Sequence, residues 1–200
     1  MNKTPPALIV LAAGQSRRFG GNAHKLQQPM GTSDVLGCSL DHAAGSGLPV
    51  VVVTTAALAP LAARHLAAED VVVVSDGEAR RGMGHTIAAG VAARPHASGW
   101  LVLPGDMPLV QPASICAVAA ALRLHPVAYA QHQGRRGHPV GFAAELYSEL
   151  VVLTGDEGAR RISARYPAFG VDVDDPGVLM DVDTPADLAA AREALAAQAH

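Results

Sequence analysis

The sequence predicts an α/β fold with a mainly parallel sheet that helices cover on both faces. Short apolar runs alternate with Ala-rich stretches of helical character, which is the rhythm of repeated strand-helix units. The expected strands are ALIVLAA from Ala7, VVVVTT from Val50, VVVV from Val71 and WLVLP from Trp100. The expected helices are VLGCSLDHAA, APLAARHLAAE, HTIAAGVAAR and PASICAVAAALRL. Ligands of such sheets bind beyond the carboxyl ends of the strands, so functional residues are expected there.

The pattern changes in the last third of the chain. After His125, the segment VAYAQ, a turn at GRRG and the segment HPVGF are typical of a hairpin. A further apolar strand, VLMDVD from Val178, and a closing helix from Pro185 are expected to follow. The sequence shows no linker, low-complexity tract or internal repeat, so residues 1–200 are expected to form one domain.

Composition and charge exclude several classes of protein. Half of the 200 residues are apolar and 16% are charged, which suits a globular domain, and no apolar run approaches the length that spans a bilayer. A formal net charge of −3 argues against a nucleic-acid binder, whose affinity rests on a basic surface. Cys38 and Cys116 have neither the spacing of a disulfide framework nor that of a metal site, so a cytoplasmic location is expected.

The arginines are unevenly distributed along the chain. Eight of the 15 basic residues occur as Arg-Arg pairs near glycines. The pairs are Arg17-Arg18, Arg80-Arg81, Arg135-Arg136 and Arg160-Arg161. A guanidinium binds phosphate through two parallel donors, so paired arginines on Gly-rich loops indicate a small, highly anionic ligand. The alternative, that they are solubilising loop charges, stays open.

A long loop follows the first predicted strand and is a candidate phosphate-binding segment. About twenty residues separate Ala13 from the helix near Asp34, and they include glycines, Ser16, Arg17 and Lys25. Glycines let backbone N–H groups approach an anion, and the serine and basic side chains add donors. The loop lacks the GxxxxGK[ST] and GxGxxG patterns. A surface loop with incidental basic residues is the alternative reading.

Aspartates end two of the predicted strands and are candidate metal ligands. Asp106 follows WLVLPG, and strand alternation in VLMDVD places Asp181 and Asp183 on one face. Mg²⁺ prefers one or two carboxylates completed by water and substrate phosphates, so these residues predict a magnesium site for a phosphorylated substrate. Helix capping is the alternative role for Asp106 and Asp183.

Together, the loop LAAGQSRRFGGNAHKL, the segment LPGDMP and the ending DVDTPADL resemble the MobA-like nucleotidyltransferase family, and especially its molybdenum cofactor cytidylyltransferase branch. The resemblance covers almost the whole chain. It implies a single Rossmann-like domain, a three-layer αβα sandwich, and Mg²⁺-dependent transfer of a nucleotide monophosphate to a phosphorylated pterin with release of pyrophosphate. The LAAG start and the Gly-His-Pro motif resemble enzymes that use CTP rather than GTP. A molybdenum enzyme is the implied recipient of the product.

The resemblance also implies roles for individual residues. The implied nucleotide-binding residues are Leu11, Ala12, Ala13, Gly14, Ser16, Arg17, Lys25, Gly82, Met83, Thr86 and Asp106. The implied catalytic residues are Lys25, Arg17 and Asp106, and the implied metal ligands are Asp106, Asp183 and Asp181. The implied acceptor-binding residues are Gly137, His138, Pro139 and Arg160.

Two other readings of the sequence stay open. The first is the same fold with another substrate pair, either guanylyl transfer to the pterin or cytidylyl transfer to a different phosphorylated acceptor. The second is a protein without catalytic activity that senses nucleotides or carries molybdopterin.

Overall fold

The computed structural model describes residues 4–16, 19 and 24–198, which form nine strands and eight α-helices. The strands are β1 (Ala7–Ala12), β2 (Pro29–Met30), β3 (Ser33–Asp34), β4 (Val50–Thr55), β5 (Val71–Val74), β6 (Gly99–Pro104), β7 (Val127–His132), β8 (Arg135–Ala143) and β9 (Ala168–Asp172). The helices are α1 (Val35–Gly45), α2 (Ala59–Ala62), α3 (Asp76–Arg80), α4 (Met83–Ala93), α5 (Pro112–Ala121), α6 (Tyr147–Leu150), α7 (Arg160–Arg165) and α8 (Pro185–Gln198).

Seven of these strands form one mixed sheet in the order β5-β4-β1-β6-β8-β7-β9. All neighbours pair in parallel except β8, which is antiparallel to both β6 and β7. The predicted α/β class with a mainly parallel sheet is therefore confirmed. Because β8 runs in the opposite direction, its first residues lie at the same sheet edge as the last residues of β1 and β6. This reversal brings the β7–β8 hairpin to the ligand-binding edge.

Helices cover both faces of the sheet and produce three layers. On one face, α1, α2, α5 and α8 bury Leu40, Leu61, Ile115 and Leu188 in a continuous apolar cluster with the sheet. On the other face, α4, α6 and α7 contribute side chains to a second cluster around Trp100. The central strands are buried on both sides, which explains why their sequences are continuous apolar runs rather than alternating ones.

Several elements differ from the sequence-based prediction. The stretch APLAARHLAAE is α-helical only over Ala59–Ala62, and a short 3-10 helix, Ala68–Asp70, begins near its end. The segment VLMDVD is not a strand, because it contains the end of a 3-10 turn, Pro176–Leu179, and then an irregular extended stretch. Strands β2, β3 and β9 and the short helices α3, α6 and α7 were not predicted. The hairpin of β7 and β8 is confirmed, although its turn lies at Gln133 and Gly134, both of which have positive φ.

No helix within the described part of the chain combines the length and the apolarity needed to cross a membrane.

Candidate nucleotide-binding and catalytic site

A cavity of about 660 Å³ opens at the carboxyl edge of the sheet. Its walls come from the end of β1, the segment around Lys25, the start of α4, the end of β6, the start of β8 and the chain after Pro176. The lining residues are Leu11, Ala13, Gly14, Gln15, Ser16, Lys25, Leu26, Ala79, Arg80, Gly82, Met83, Thr86, Pro104, Asp106, Met107, Arg135, Arg136, Gly137, His138, Asp156, Val178, Leu179, Asp181 and Asp183. Most of the site residues expected from the sequence therefore surround one space.

The end of β1 supplies one wall of the cavity. Leu11, Ala13, Gly14 and Ser16 line it, as expected. Ala12 does not, because strand alternation turns its side chain into the apolar core, where it is fully buried. Arg17, for which catalytic and nucleotide-binding roles were expected, lies outside the described residues.

His24 ties the Lys25 segment to the end of β1. Its Nε2 lies 2.9 Å from the Gly14 carbonyl oxygen, and its Nδ1 accepts a hydrogen bond from the Leu26 N–H at 3.3 Å. Both contacts fit a neutral ring protonated on Nε2. Burial lowers the pKa of His24, the Gly14 carbonyl partly offsets this, and Lys25 lowers the pKa further. The Lys25 N–H also donates to Ser16 Oγ at 3.2 Å. Sequence reasoning did not identify His24.

Lys25 reaches two aspartates that are distant in sequence. Its ammonium donates to Asp106 Oδ2 and, at 2.6 Å, to Asp183 Oδ1. Burial opposes the charge on this ammonium, but attraction to Asp106 and the hydrogen bonds to both carboxylates outweigh it and raise the pKa of Lys25. The Val182 N–H donates to the Asp106 carbonyl oxygen at 2.8 Å, which holds the two aspartate-bearing segments side by side.

The helix-capping alternatives for the aspartates are wrong. Ahead of α8, it is Thr184 and Asp187 that cap one another, since Asp187 accepts from the Thr184 N–H at 2.7 Å and Thr184 Oγ1 accepts from the Asp187 N–H at 3.2 Å. The side chain of Asp183 is directed to Lys25 instead. The helix that follows Asp106 begins only at Pro112.

The donor set at Lys25 is compatible with a divalent cation. Oxygens of Asp106 and Asp183 approach a single ammonium, so they are close enough to share one cation. In the described part of the chain, no group of three or more His, Cys, Asp or Glu residues is arranged to hold a metal by itself. Two carboxylates are what Mg²⁺ commonly uses when substrate phosphates and water complete its coordination. Asp106 and Asp183 therefore fit a metal that arrives with a phosphorylated ligand.

Asp181 lines the same cavity, but among the described contacts no hydrogen bond or ion pair joins it to the Lys25 ammonium. Burial raises the pKa of its carboxyl, a hydrogen bond to its own backbone lowers it, and repulsion from Asp183 and Asp106 raises it further. The carboxylates of Asp183 and Asp106 therefore add to an upward shift whose largest cause is burial.

The start of α4 forms another wall of the cavity. Gly82, Met83 and Thr86 line the cavity, as expected. Gly82 has φ of 104°, and a Cβ at this position would lie 2.3 Å from the carbonyl carbon of Gly155. The Gly84 N–H donates to the Gly155 carbonyl oxygen at 2.9 Å. Only glycine permits this close approach, and it places Asp156 in the cavity wall.

The first residues of β8 supply the remaining wall. Arg135, Arg136, Gly137 and His138 line the cavity, and the Arg136 guanidinium lies 4.3 Å from the centre of the Tyr129 ring. Among the described residues, no ion pair involves either arginine. This wall is therefore basic and has donors available for an anion.

His138 also belongs to this wall, and one nitrogen of its ring is buried. Its Nδ1 is buried and has no hydrogen-bond partner among the described residues. Burial lowers the pKa of His138, whereas the Val102 carbonyl and Asp106 raise it and Arg136 lowers it. The net effect keeps the ring neutral at pH 7.

Two residues expected to bind the acceptor lie elsewhere. Pro139 is buried beside the cavity rather than in its wall, because it is the next residue along β8 and its side chain turns away. Arg160 is exposed at the start of α7 and does not line the cavity. The arginines that do line it, Arg80, Arg135 and Arg136, belong to pairs that the sequence singled out without giving them a site role.

The fold and this cavity place the protein in the nucleotidyltransferase class. More specifically, the chain belongs to the MobA-like NTP transferase domain family, which matches residues 8–169. The family resemblance read from the sequence is thus confirmed.

Similar proteins align with the chain over almost its whole length. It is 32% identical over 203 residues to the purine catabolism protein PucB of Bacillus subtilis (strain 168), covering 94% of this chain and 96% of PucB. The crystal structure of Rv0371c from Mycobacterium tuberculosis H37Rv is 30% identical, with a TM-score of 0.81, over 95% of this chain and 99% of Rv0371c. A complex of Rv0371c with manganese gives 28% identity and a TM-score of 0.77, with the same coverage of both chains.

One further structure shares the fold at lower identity. Molybdopterin-guanine dinucleotide biosynthesis protein A from Archaeoglobus fulgidus is 18% identical, with a TM-score of 0.69 over 95% of this chain and 98% of that protein.

Proposed function

We propose that this nucleotidyltransferase transfers CMP from CTP to the terminal phosphate of the molybdopterin cofactor and releases pyrophosphate. One observation carries the proposal: Lys25, Asp106 and Asp183 converge beside the Gly14–Ser16 loop, and arginines line another part of the same cavity. This arrangement offers one end suited to a triphosphate and another suited to an anionic acceptor. The choice of CTP rests on the LAAG start and the Gly-His-Pro motif.

The reaction needs positioning and charge neutralisation more than proton transfer. An oxygen of the acceptor phosphate is already anionic, and it attacks the α-phosphorus of CTP as the bond to the β-phosphate oxygen breaks. Lys25, together with Arg17, stabilises the departing pyrophosphate, and backbone N–H groups around Gly14 hold the phosphates. Mg²⁺ held by Asp106 and Asp183 would neutralise charge on the triphosphate.

The acceptor end is assigned to the β8 wall. Arg136 is held against Tyr129, so its guanidinium is partly ordered before an acceptor binds. We therefore assign the acceptor phosphate to Arg135 and Arg136, and not to Arg160, which lies outside the cavity. The neutral ring of His138 belongs to the same wall, and we assign it a contact with the pterin.

Two features of relatives support parts of the proposal. Rv0371c has been crystallised with manganese, which supports use of a divalent cation in the family without distinguishing Mg²⁺ from Mn²⁺. The Archaeoglobus protein, which shares the fold, is named for molybdopterin-guanine dinucleotide biosynthesis and supports a pterin acceptor. A molybdenum enzyme as recipient of the product is part of the same proposal.

A nucleotide panel tests the proposal. Purified protein is incubated with molybdopterin cofactor and either CTP, GTP, ATP or UTP, with Mg²⁺ or Mn²⁺, and pyrophosphate release is measured. We expect release with CTP, dependence on both the cation and the cofactor, and loss of release in Asp106→Asn. Release with GTP alone would replace the cytidylyl assignment by guanylyl transfer. Binding of CTP without release under any of these conditions would instead favour a carrier or sensor.

A further inference from the structure

We propose that the Lys25 ammonium occupies the metal position in the free protein. A bound triphosphate makes this position available to the metal, because the ammonium then binds phosphate oxygens in place of the two carboxylates. The inference deepens the proposed function and rests on it, because it uses the same positions for metal and triphosphate. It concerns the order in which the ligands bind, which the composition of the site alone does not determine.

The position of the ammonium is the first step. It lies within hydrogen-bond distance of Asp106 Oδ2 and Asp183 Oδ1, and the side chains of the lysine and the two aspartates are only 11%, 19% and 16% exposed. The charge of the lysine therefore compensates one of the two carboxylate charges in a shielded place. A divalent cation that enters this site therefore competes with the Lys25 ammonium for the two carboxylates.

The two cations exclude one another. Mg²⁺ binds carboxylate oxygens at about 2.0–2.1 Å, so a metal shared by Asp106 and Asp183 needs the space that the Lys25 Nζ fills. Repulsion between the two positive charges adds to this steric conflict. Metal binding by the free protein thus requires Lys25 to leave without a compensating partner.

The triphosphate removes this obstacle. The backbone of Lys25 is held at the end of β1 by its hydrogen bond to Ser16 Oγ and by the contact of His24 with the Gly14 carbonyl. Its flexible side chain can therefore turn towards phosphates bound at Gly14 and Ser16 while its backbone stays in place. The lysine exchanges carboxylate partners for phosphate partners, and the metal takes the vacated carboxylates. Metal and triphosphate then bind cooperatively.

Metal binding without nucleotide tests the exchange directly. Mn²⁺ is titrated into wild type and Lys25→Met, and free Mn²⁺ is measured by electron paramagnetic resonance. We expect Lys25→Met to bind Mn²⁺ roughly 5- to 150-fold more tightly than wild type, the usual range for coupling between two sites. Equal or weaker binding by a folded Lys25→Met would overturn the proposal. No nucleotide, acceptor or turnover enters this measurement, so it stays valid if the cytidylyl assignment fails.

Two variants serve as controls for the titration. Arg80→Met removes a positive charge from the same cavity but leaves Lys25 between the aspartates, so its Mn²⁺ affinity should stay within about twofold of wild type. An equal gain in Arg80→Met would show that net charge alone, and not occupancy of the site, controls the affinity. The double variant Lys25→Met/Asp106→Asn should lose the gain, because it lacks a carboxylate ligand.

The wild-type protein allows a second test that does not depend on the folding of a variant. The sequence has two lysines, Lys3 and Lys25, so ¹⁵N side-chain ammonium spectra contain few signals, and Lys25→Arg assigns them. Mg²⁺ alone at millimolar concentration should leave the Lys25 signal in place, whereas Mg²⁺ with inorganic tripolyphosphate should shift it. Displacement of the signal by Mg²⁺ alone would overturn the proposal, and so would no shift with tripolyphosphate and Mg²⁺ together.

Discussion

Asp175 is a buried carboxylate that fixes the segment leading to the site aspartates. Its Oδ2 accepts hydrogen bonds from the Gln111 N–H at 2.9 Å and the Ser114 hydroxyl at 2.7 Å, and its Oδ1 accepts from the Gly177 N–H at 2.9 Å. Its side chain begins the Pro176–Leu179 turn. We predict that Asp175→Asn destabilises the protein and lowers its activity.

The expected size follows from these three hydrogen bonds. If the carboxamide oxygen keeps the bonds to Gln111 and Ser114, the new NH₂ group faces the Gly177 N–H, and one buried donor loses its acceptor. Such a loss costs about 1–3 kcal/mol in the free energy of unfolding. For a chain of this size, a cost of about 2 kcal/mol lowers Tm by about 4–8 °C. Asp175→Ala removes both carboxylate oxygens and with them all three hydrogen bonds, so its cost should be larger.

Urea and thermal unfolding followed by circular dichroism measure this effect. Asp174→Asn is the matched control, because Asp174 is the exposed aspartate next to it. The turn precedes Asp181 and Asp183, so Asp175→Asn should also reduce kcat at a temperature where it stays folded, whereas Asp174→Asn should not. If Asp175→Asn unfolds at the wild-type midpoint, the three hydrogen bonds do not stabilise this segment and the reasoning is refuted.

Three further predictions concern the β8 wall. Gly137→Ala should lower Tm and weaken acceptor binding, since a Cβ there would lie 2.1 Å from the Val178 carbonyl oxygen. A wild-type Tm together with a wild-type KM for the acceptor would contradict this packing. Arg136→Ala should raise the KM for the acceptor on the order of tenfold, whereas Arg160→Ala should leave it unchanged, and the reverse would restore the acceptor role to Arg160. Because burial lowers the pKa of His138, the unfolded chain binds more protons below about pH 6.5, so the free energy of unfolding should fall as pH drops below that value. Urea titrations at about pH 7.5 and about pH 5.5 should show a smaller fall in His138→Gln, and an equal fall would exclude His138 as a source.

The sequence predicted the central strands well because they are buried on both faces. Their uninterrupted valines and leucines leave little ambiguity. Strand β9 escaped prediction because AFGVD is a short edge strand with an interior glycine and partly exposed side chains. VLMDVD has the alternation of a strand for another reason. Val182 packs into the core, whereas Asp181 and Asp183 face the cavity, so an irregular segment acquires a period of two.

The residue types of the site were predictable, but their pairing was not. Lys25 and the aspartates were recognisable as a phosphate ligand and metal ligands, yet Lys25 is separated from Asp106 by 81 positions and from Asp183 by 158. Their contact depends on the hydrogen bond of Val182 to Asp106 and on the ring of His24, neither of which has a signal in a single sequence. Sequence position also could not show that Arg160 begins a helix outside the cavity.

The charges around the cavity explain why a divalent cation and a nucleotide should need one another. Among the described lining residues, the cationic side chains equal the acidic ones in number. The cationic residues are Lys25, Arg80, Arg135 and Arg136, and the acidic residues are Asp106, Asp156, Asp181 and Asp183. His138 is not counted among the cations, because burial lowers its pKa and its ring is neutral at pH 7. A triphosphate therefore adds negative charge that these side chains do not compensate. A metal without nucleotide has to displace the Lys25 ammonium from Asp106 and Asp183. Each ligand supplies the charge that the other lacks, so the cavity should bind the metal-nucleotide complex much more tightly than either component.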